Sequence, residues 1–175
     1  MKFRLLLLDA NIVIYLHELG IWSHFIEKCS VTLTQTVIDE AQYYEDEERI
    51  RYPIDLKPDI ESKKIQCIDV PIKTVEKLVR KYGPVYLEKL DDGEAESLAF
   101  LMDSQEKWLI SSSDRIVFKT LGREGRSEQG ISLEEILTNI GLTQSDLKYQ
   151  YTKIFREKNT HEGQIDSIQG FGHAD

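Results

Sequence analysis

Phe3-Arg4-Leu5-Leu6-Leu7-Leu8-Asp9-Ala10-Asn11 is the stretch on which the reading of the fold turns. Leucine is a good helix former. The run is nevertheless short and ends abruptly at an acid, which predicts a buried strand stopping at Asp9. A helix start follows at Asn11-Ile12-Val13-Ile14-Tyr15-Leu16, and a second short helix at 22–28. Further out, Val31-Thr32-Leu33-Thr34 is short and β-branched, which suits a strand. Ile65 to Val70 and Trp108-Leu109-Ile110 are two more strand candidates, the latter running into Ser111-Ser112-Ser113-Asp114. Helical patterns fill the gaps. Thr36 is expected to cap a helix with Asp39 three residues on and Val37, Ile38, Ala41 and Tyr44 on its apolar side. Ile72, Val75, Leu78 and Val79 follow the 3.6-residue period after Pro71, until Gly83-Pro84 breaks it. The segment 91–106 reads as a helix capped by Asp91 with Glu94 as its box partner. Further helices are expected at 115–121 and from Ser132-Leu133-Glu134-Glu135. Strands alternating with helices predict an α/β domain with a parallel sheet.

The 175 residues are 41% hydrophobic and 30% charged, an ordinary globular composition for about one domain. Lys and Arg number 22 and Asp and Glu 31, giving a net charge of −9. An architectural nucleic-acid coat protein runs basic, so that class loses weight; an enzyme on nucleic acid does not, because local charge can oppose the total. Cys29 and Cys67 form no Cys-x-x-Cys pair and have no histidine cluster beside them, which speaks against structural zinc and a disulfide framework. They read as small hydrophobes in a reducing, cytoplasmic setting. The leucine run is too short for a signal core, and no apolar stretch approaches the roughly 18 residues of a membrane span. The acid run Glu45-Asp46-Glu47-Glu48 and the aperiodic stretch to residue 64, with Pro53 and Pro58, predict an inserted loop. A polar helix is expected over 143–158. From Asn159 onward, Gly163, Gly170, Gly172 and little apolar content predict a frayed or partner-binding tail. The chain thus divides into an α/β domain over 1–140 and a helical extension with a polar tail over 141–175.

Parallel sheets bind ligands beyond the carboxyl ends of their strands. Two strands end in acids, Asp9 and Asp114, and two helices carry Glu40, and Glu94 with Glu96. Carboxylates gathered at one rim repel one another unless a cation sits between them. Oxygen donors without Cys or His suit Mg²⁺ or Mn²⁺, ions that polarise phosphoryl oxygens and activate water. The pattern points to metal-assisted phosphodiester hydrolysis. Each acid also has a local use: Asp9 and Asp114 as caps, Glu94 in its box, Glu40 on an exposed helix face. Their joint spacing carries the reading.

In order along residues 3–121, Leu-Leu-Leu-Leu-Asp9-Ala-Asn11, Thr-Gln-Thr-Val-Ile-Asp-Glu40, Gly-Glu94-Ala-Glu96-Ser-Leu-Ala and Ile-Ser-Ser-Ser-Asp114-Arg resemble the PIN-domain nucleases. The resemblance implies a three-layer α/β/α sandwich around a central parallel sheet. It implies an endoribonuclease dependent on Mg²⁺ or Mn²⁺, usually cutting single-stranded RNA. Many members are toxins of bacterial toxin–antitoxin pairs, so a small antitoxin-like partner and a homo-oligomer are expected associations. By position, Asp9, Glu40, Glu96 and Asp114 match the catalytic, metal-ligating acids. Asn11 matches a supporting residue, Glu94 is the second candidate beside Glu96, and Ser112 or Ser113 takes the hydroxyl position. Asp39, about 100° around its helix from Glu40, is not expected at the site. The last strand of the sheet has only Gly130-Ile131-Ser132 to represent it.

RNA requires positive charge along its backbone. Arg115, Lys119, Arg123 and Arg126 are candidates, Lys119 also suiting a plain solvated face. Lys73, Lys77, Arg80 and Lys81 read as an exposed helix face. Tyr43 and Tyr44 could stack bases, whereas Trp22 reads as core, and His17 and His24 as structural or exposed. A haloacid-dehalogenase phosphatase needs Asp-x-Asp, but Asn11 fills its second position; a receiver domain needs paired acids after the first strand, which are absent. The non-enzymatic alternative is a catalytically silent PIN-like module binding nucleic acid or protein. With Asp9 as a metal ligand, Asp9→Asn is expected to remove cleavage and leave the fold intact or more stable, by relieving repulsion.

Overall fold

The computed structural model describes residues 2–170, with backbone only at Arg4, Leu5, Val85 and Leu87. Four parallel strands form the central sheet: β1 (Phe3–Leu8), β2 (Cys29–Thr34), β5 (Ile65–Ile68) and β6 (Leu109–Ser111), in spatial order β5-β2-β1-β6. Leu6 pairs with Val31 on one side and Leu109 on the other, so β1 lies centrally. The order reverses at β1, which makes the gap between β1 and β6 the topological switch point, where ligands bind in such sheets.

Side chains of β1 alternate between two cores. Leu6 and Leu8 pack with α1 (Ala10–Glu18), α2 (Trp22–Lys28) and α9 (Leu133–Asn139), through Ile12, Leu16, Phe25 and Leu137. Leu7 faces α5 (Ile72–Tyr82), α7 (Asp92–Asp103) and α8 (Arg115–Arg123), through Leu78, Leu98 and Phe118. Leu6 to Leu8 of β1 are therefore apolar on both faces because both are covered, which identifies β1 as a central parallel strand despite leucine's helix preference. The result is a three-layer α/β/α sandwich. Among the described residues no helix is long and apolar enough to cross a membrane.

Several elements differ from expectation. Thr34, not Thr36, caps α3 (Gln35–Glu40), accepting from the Val37 amide. That helix stops at Glu40, and Tyr44 enters a strand instead. The expected loop over 45–64 is ordered: β3 (Tyr43–Glu45) and β4 (Arg51–Pro53) form an antiparallel ribbon outside the main sheet, followed by α4 (Lys57–Glu61). The short α6 (Pro84–Leu87) follows Gly83. The fifth strand shrinks to one parallel bridge, Ile110 to Gly130, with the Ile131 amide donating to Ile110 O.

The largest difference is α10 (Lys153–Ile168), which begins only at Lys153 rather than at 143, Thr152 capping it, and then runs through the stretch expected to fray. Gly163 does not break it. A Cβ there would lie 2.1 Å from Lys119 O, and one at Gly122 would lie 2.1 Å from Thr160 O. The two glycines let α8 and α10 cross backbone to backbone. Gly172 lies outside the described residues.

Candidate active site at the rim of the sheet

Asp9 follows β1 immediately and is 2% exposed. Its Oδ1 accepts from the Ile12 amide (2.7 Å), capping α1. Its Oδ2 accepts from the Ser112 hydroxyl (2.6 Å) and the Ser113 amide (2.9 Å), tying the end of β1 to the turn after β6. Cap and site residue are thus one side chain. Asp114 does the same for α8, its Oδ1 accepting from the Ile116 amide (2.6 Å).

Glu94, 3% exposed, closes the cluster from the first turn of α7. Its Oε2 accepts from the Asp91 amide (3.3 Å), completing the box, while Oε1 lies 3.0 Å from Ser112 Oγ. Ser112 Oγ also accepts from the Asp114 amide (2.9 Å). The hydroxyl has one proton and faces two carboxyl groups, so its second contact needs a proton on a carboxyl. Burial, then the charges of Asp9 and Asp114, push Glu94 up to about 9, making it the group that keeps that proton at neutral pH.

Glu40, the last residue of α3, reaches the same helix start, its Oε1 accepting from the Gly93 amide (3.3 Å). A Cβ at position 93 would stand 2.7 Å from Glu40 Oε2 and 2.8 Å from Val37 Cγ2. Glycine at 93 is therefore what admits Glu40. Its helix-interior cost is a sequence signal for close approach, though its role was not read from the sequence. Nor were Asp91 and Asp92 read as part of the acidic field, yet both raise Glu40.

The geometry thus brings together Asp9, Glu40, Glu94, Asp114 and Ser112, with the Ser113 amide. Glu96 sits two residues beyond Glu94, about 200° around α7, on the opposite side of the helix. Glu94, not Glu96, is the acid that lies against Asp9. Asn11 is exposed on α1. Asp39 accepts from Gln35 Nε2 and lies outside the cluster.

Compared with family models, with curated proteins and with solved structures, the chain matches none.

Burial raises all four acids above their ordinary values, and neighbouring carboxylates add to it for Glu40, Glu94 and Asp114. Arg115 offsets part of this at Asp114. The other cations behind Asp114 are committed elsewhere. Lys119 pairs with Glu162 (2.7 Å), and Arg123 with Asp166 (2.6 Å) while lying 4.8 Å from the Tyr86 ring centroid. Arg126 donates to Leu101 O. Only Arg115 of this group is exposed. Among the described residues no three acid, His or Cys side chains stand as a ligating group; Glu94 Oε1 lies against Ser112 and Glu40 Oε1 against the Gly93 amide. Oδ2 of Asp114 and Oε2 of Glu40 accept no protein hydrogen bond among those residues.

The geometry sets a cost against the relief expected for Asp9→Asn, the Asp9 carboxyl being raised by burial. Three donors meet the two Asp9 oxygens. An amide offers one acceptor and turns its NH₂ on the remaining donors, a buried mismatch costing about 1–3 kcal/mol.

Proposed function

We propose that this chain is a PIN-like ribonuclease dependent on Mg²⁺ or Mn²⁺, with Asp9, Glu40, Glu94 and Asp114 as its acid cluster. The observation that carries the reading is the convergence of four carboxyl groups from four segments at the switch point of a parallel sheet. Burial raises every one of them, and the charge of Asp9 adds to it at Glu40 and Glu94. Such a cluster without equal protein counter-charge suits a divalent cation, and an oxygen-only donor set suits Mg²⁺ or Mn²⁺. When bound, that ion supplies an activated water and stabilises charge on the phosphoryl oxygens.

The protein's own contributions differ by residue. Asp9 is locked by three donors and provides a fixed carboxylate. Among the described residues Glu40 and Asp114 each keep one oxygen clear of protein donors. Glu94 holds a proton against Ser112, and that proton must leave before Glu94 can ligate. The Ser112 hydroxyl and the Ser113 amide orient Asp9.

Cleavage of a mixed single-stranded RNA, with Mg²⁺ or Mn²⁺ against EDTA, tests the proposal. Metal-dependent cleavage that disappears in Asp114→Asn supports it, and cleavage that survives in Asp114→Asn overturns the site. The engagement of Glu94 and Glu40 by Ser112 and Gly93 favours a second reading, a silent PIN-like module that binds nucleic acid or protein. Calorimetric titration with Mn²⁺ separates the two, because the silent module takes up no ion at the cluster.

A further inference from the structure

The β3–β4 ribbon leaves the fold two residues beyond Glu40 and returns through the Ile54 amide donating to Gln42 O. On one face Tyr44 and Tyr52 stack with centroids 5.3 Å apart. The file of rings continues to His17 (6.1 Å) and from there to buried Trp22 (4.9 Å). On the other face the Arg51 guanidinium lies 4.4 Å above the Tyr43 ring. Tyr43 and Tyr52 are 40% and 39% exposed. An isolated two-stranded ribbon is marginal in water, yet this one is built firmly. Asp46 accepts from the Glu48 and Ile50 amides through Oδ1 and from the Tyr52 hydroxyl through Oδ2. Outward rings are therefore held in place at some cost, and α1 links them to the acids. His17 is eight residues past Asp9, about 12 Å along the helix, a distance that a short run of unpaired nucleotides bridges.

We infer that this ribbon is a stacking platform for unpaired RNA bases, with Tyr52 offered on the face that continues to His17 and Tyr43 on the opposite face, where Arg51, paired with Glu45, lies over its ring; the assignment rests on the ribonuclease reading above. The ribbon's charge sets the mode of binding. Glu45, Asp46, Glu47 and Glu48 outnumber Arg49 and Arg51, so affinity comes from stacking rather than from phosphate neutralisation. Stacking on one aromatic side chain is worth about tenfold or more in affinity per base and tolerates any base. Few phosphates are neutralised, so log K falls with log salt by a slope of about 1 or less.

The test is fluorescence anisotropy of the full chain with a short labelled oligouridine in EDTA, which stops cleavage and reads binding alone. Tyr43→Leu is expected to weaken binding about tenfold with an unchanged thermal midpoint, and Tyr43→Phe to bind as wild type. Tyr52→Leu, which also removes the donor to Asp46 and the stack on Tyr44, is expected to weaken binding at least as much and to lower the midpoint. Equal binding by the leucine variants, a steep salt slope, equal affinity for duplex RNA, or no binding by the wild type overturns the platform. So does self-association of the wild type that the leucine variants lose, which would assign the rings to an interface between copies. The two readings fail separately. Ring-dependent binding without metal-dependent cleavage removes the nuclease and keeps the platform, whereas cleavage with unchanged KM in the leucine variants removes the platform and keeps the nuclease.

Discussion

Ser112 holds one proton between Asp9 and Glu94, and the pH dependence of the protein follows from that arrangement. Glu94 ionises near 9 in the folded chain against an ordinary value of 4.5. Between those values the folded state keeps a proton that the unfolded state has lost. Unfolding therefore releases protons, and stability falls as pH rises across that range. Glu40, Asp9 and Asp114, also raised, contribute with the same sign. Glu94→Gln, which keeps a hydrogen-bonding partner for Ser112, is expected to flatten the decline and raise the thermal midpoint above pH 7, while abolishing metal-dependent cleavage. Thermal melts of both proteins from pH 5 to 9 check this; parallel curves would show that Glu94 does not hold the proton. Asp9→Asn is expected to act oppositely on stability, costing about 1–3 kcal/mol. That lowers the melting midpoint by roughly 2–12 °C for a domain of this size.

The first turn of α7 positions two of the acids at once, Glu94 by its own side chain and Glu40 through the Gly93 amide. Gly93→Ala is expected to push Glu40 off the helix start, since its Cβ would overlap the carboxylate and Val37. The predicted result is weaker Mn²⁺ binding in calorimetry with a small change in melting. A large loss of stability with intact Mn²⁺ binding would contradict it. At the α8–α10 crossing the effect inverts. A Cβ on Gly163 meets the rigid backbone carbonyl of Lys119, so the helices must separate and strain the ion pairs Lys119–Glu162 and Arg123–Asp166. Overpacking of this kind costs about 1–3 kcal/mol, and Gly163→Ala is expected to lower the melting midpoint by several degrees without changing Mn²⁺ affinity.

Across the whole molecule, α10 joins both halves of the sandwich. Phe155 packs edge-on against Phe118 of α8, and Arg156 grips Glu135 of α9 with two hydrogen bonds (2.7 and 2.9 Å). Tyr151, just before the helix, stacks on Tyr15 of α1 at 4.1 Å. Removal of residues 153–175 is expected to leave α8 without its cover and the chain without a cooperative thermal transition by circular dichroism. A truncated chain that melts cooperatively near the full-length midpoint would contradict that expectation. Glu162 and Asp166 on the same helix pair with Lys119 and Arg123, which is why those two are not open cations flanking Asp114.

Local chemistry made much of this protein legible in its sequence. A short apolar run stopped by an acid, β-branched segments between amphipathic ones, and Asp91-x-x-Glu94 each depend on neighbours within a few residues. The alternating α/β architecture and the acids Asp9 and Asp114 at strand ends follow from them. Distant neighbours decided the rest. Which of Glu94 and Glu96 faces Asp9 depends on the rotation of α7 against β1. The tightness of Gly93 beside Glu40, and of Gly122 and Gly163 between α8 and α10, exists only where two helices meet. A glycine reads as a breaker along the chain and as a point of close approach in space. Residues 159–168 therefore read as a fraying tail in the sequence, and only packing against α8 supplied the burial that makes them a helix.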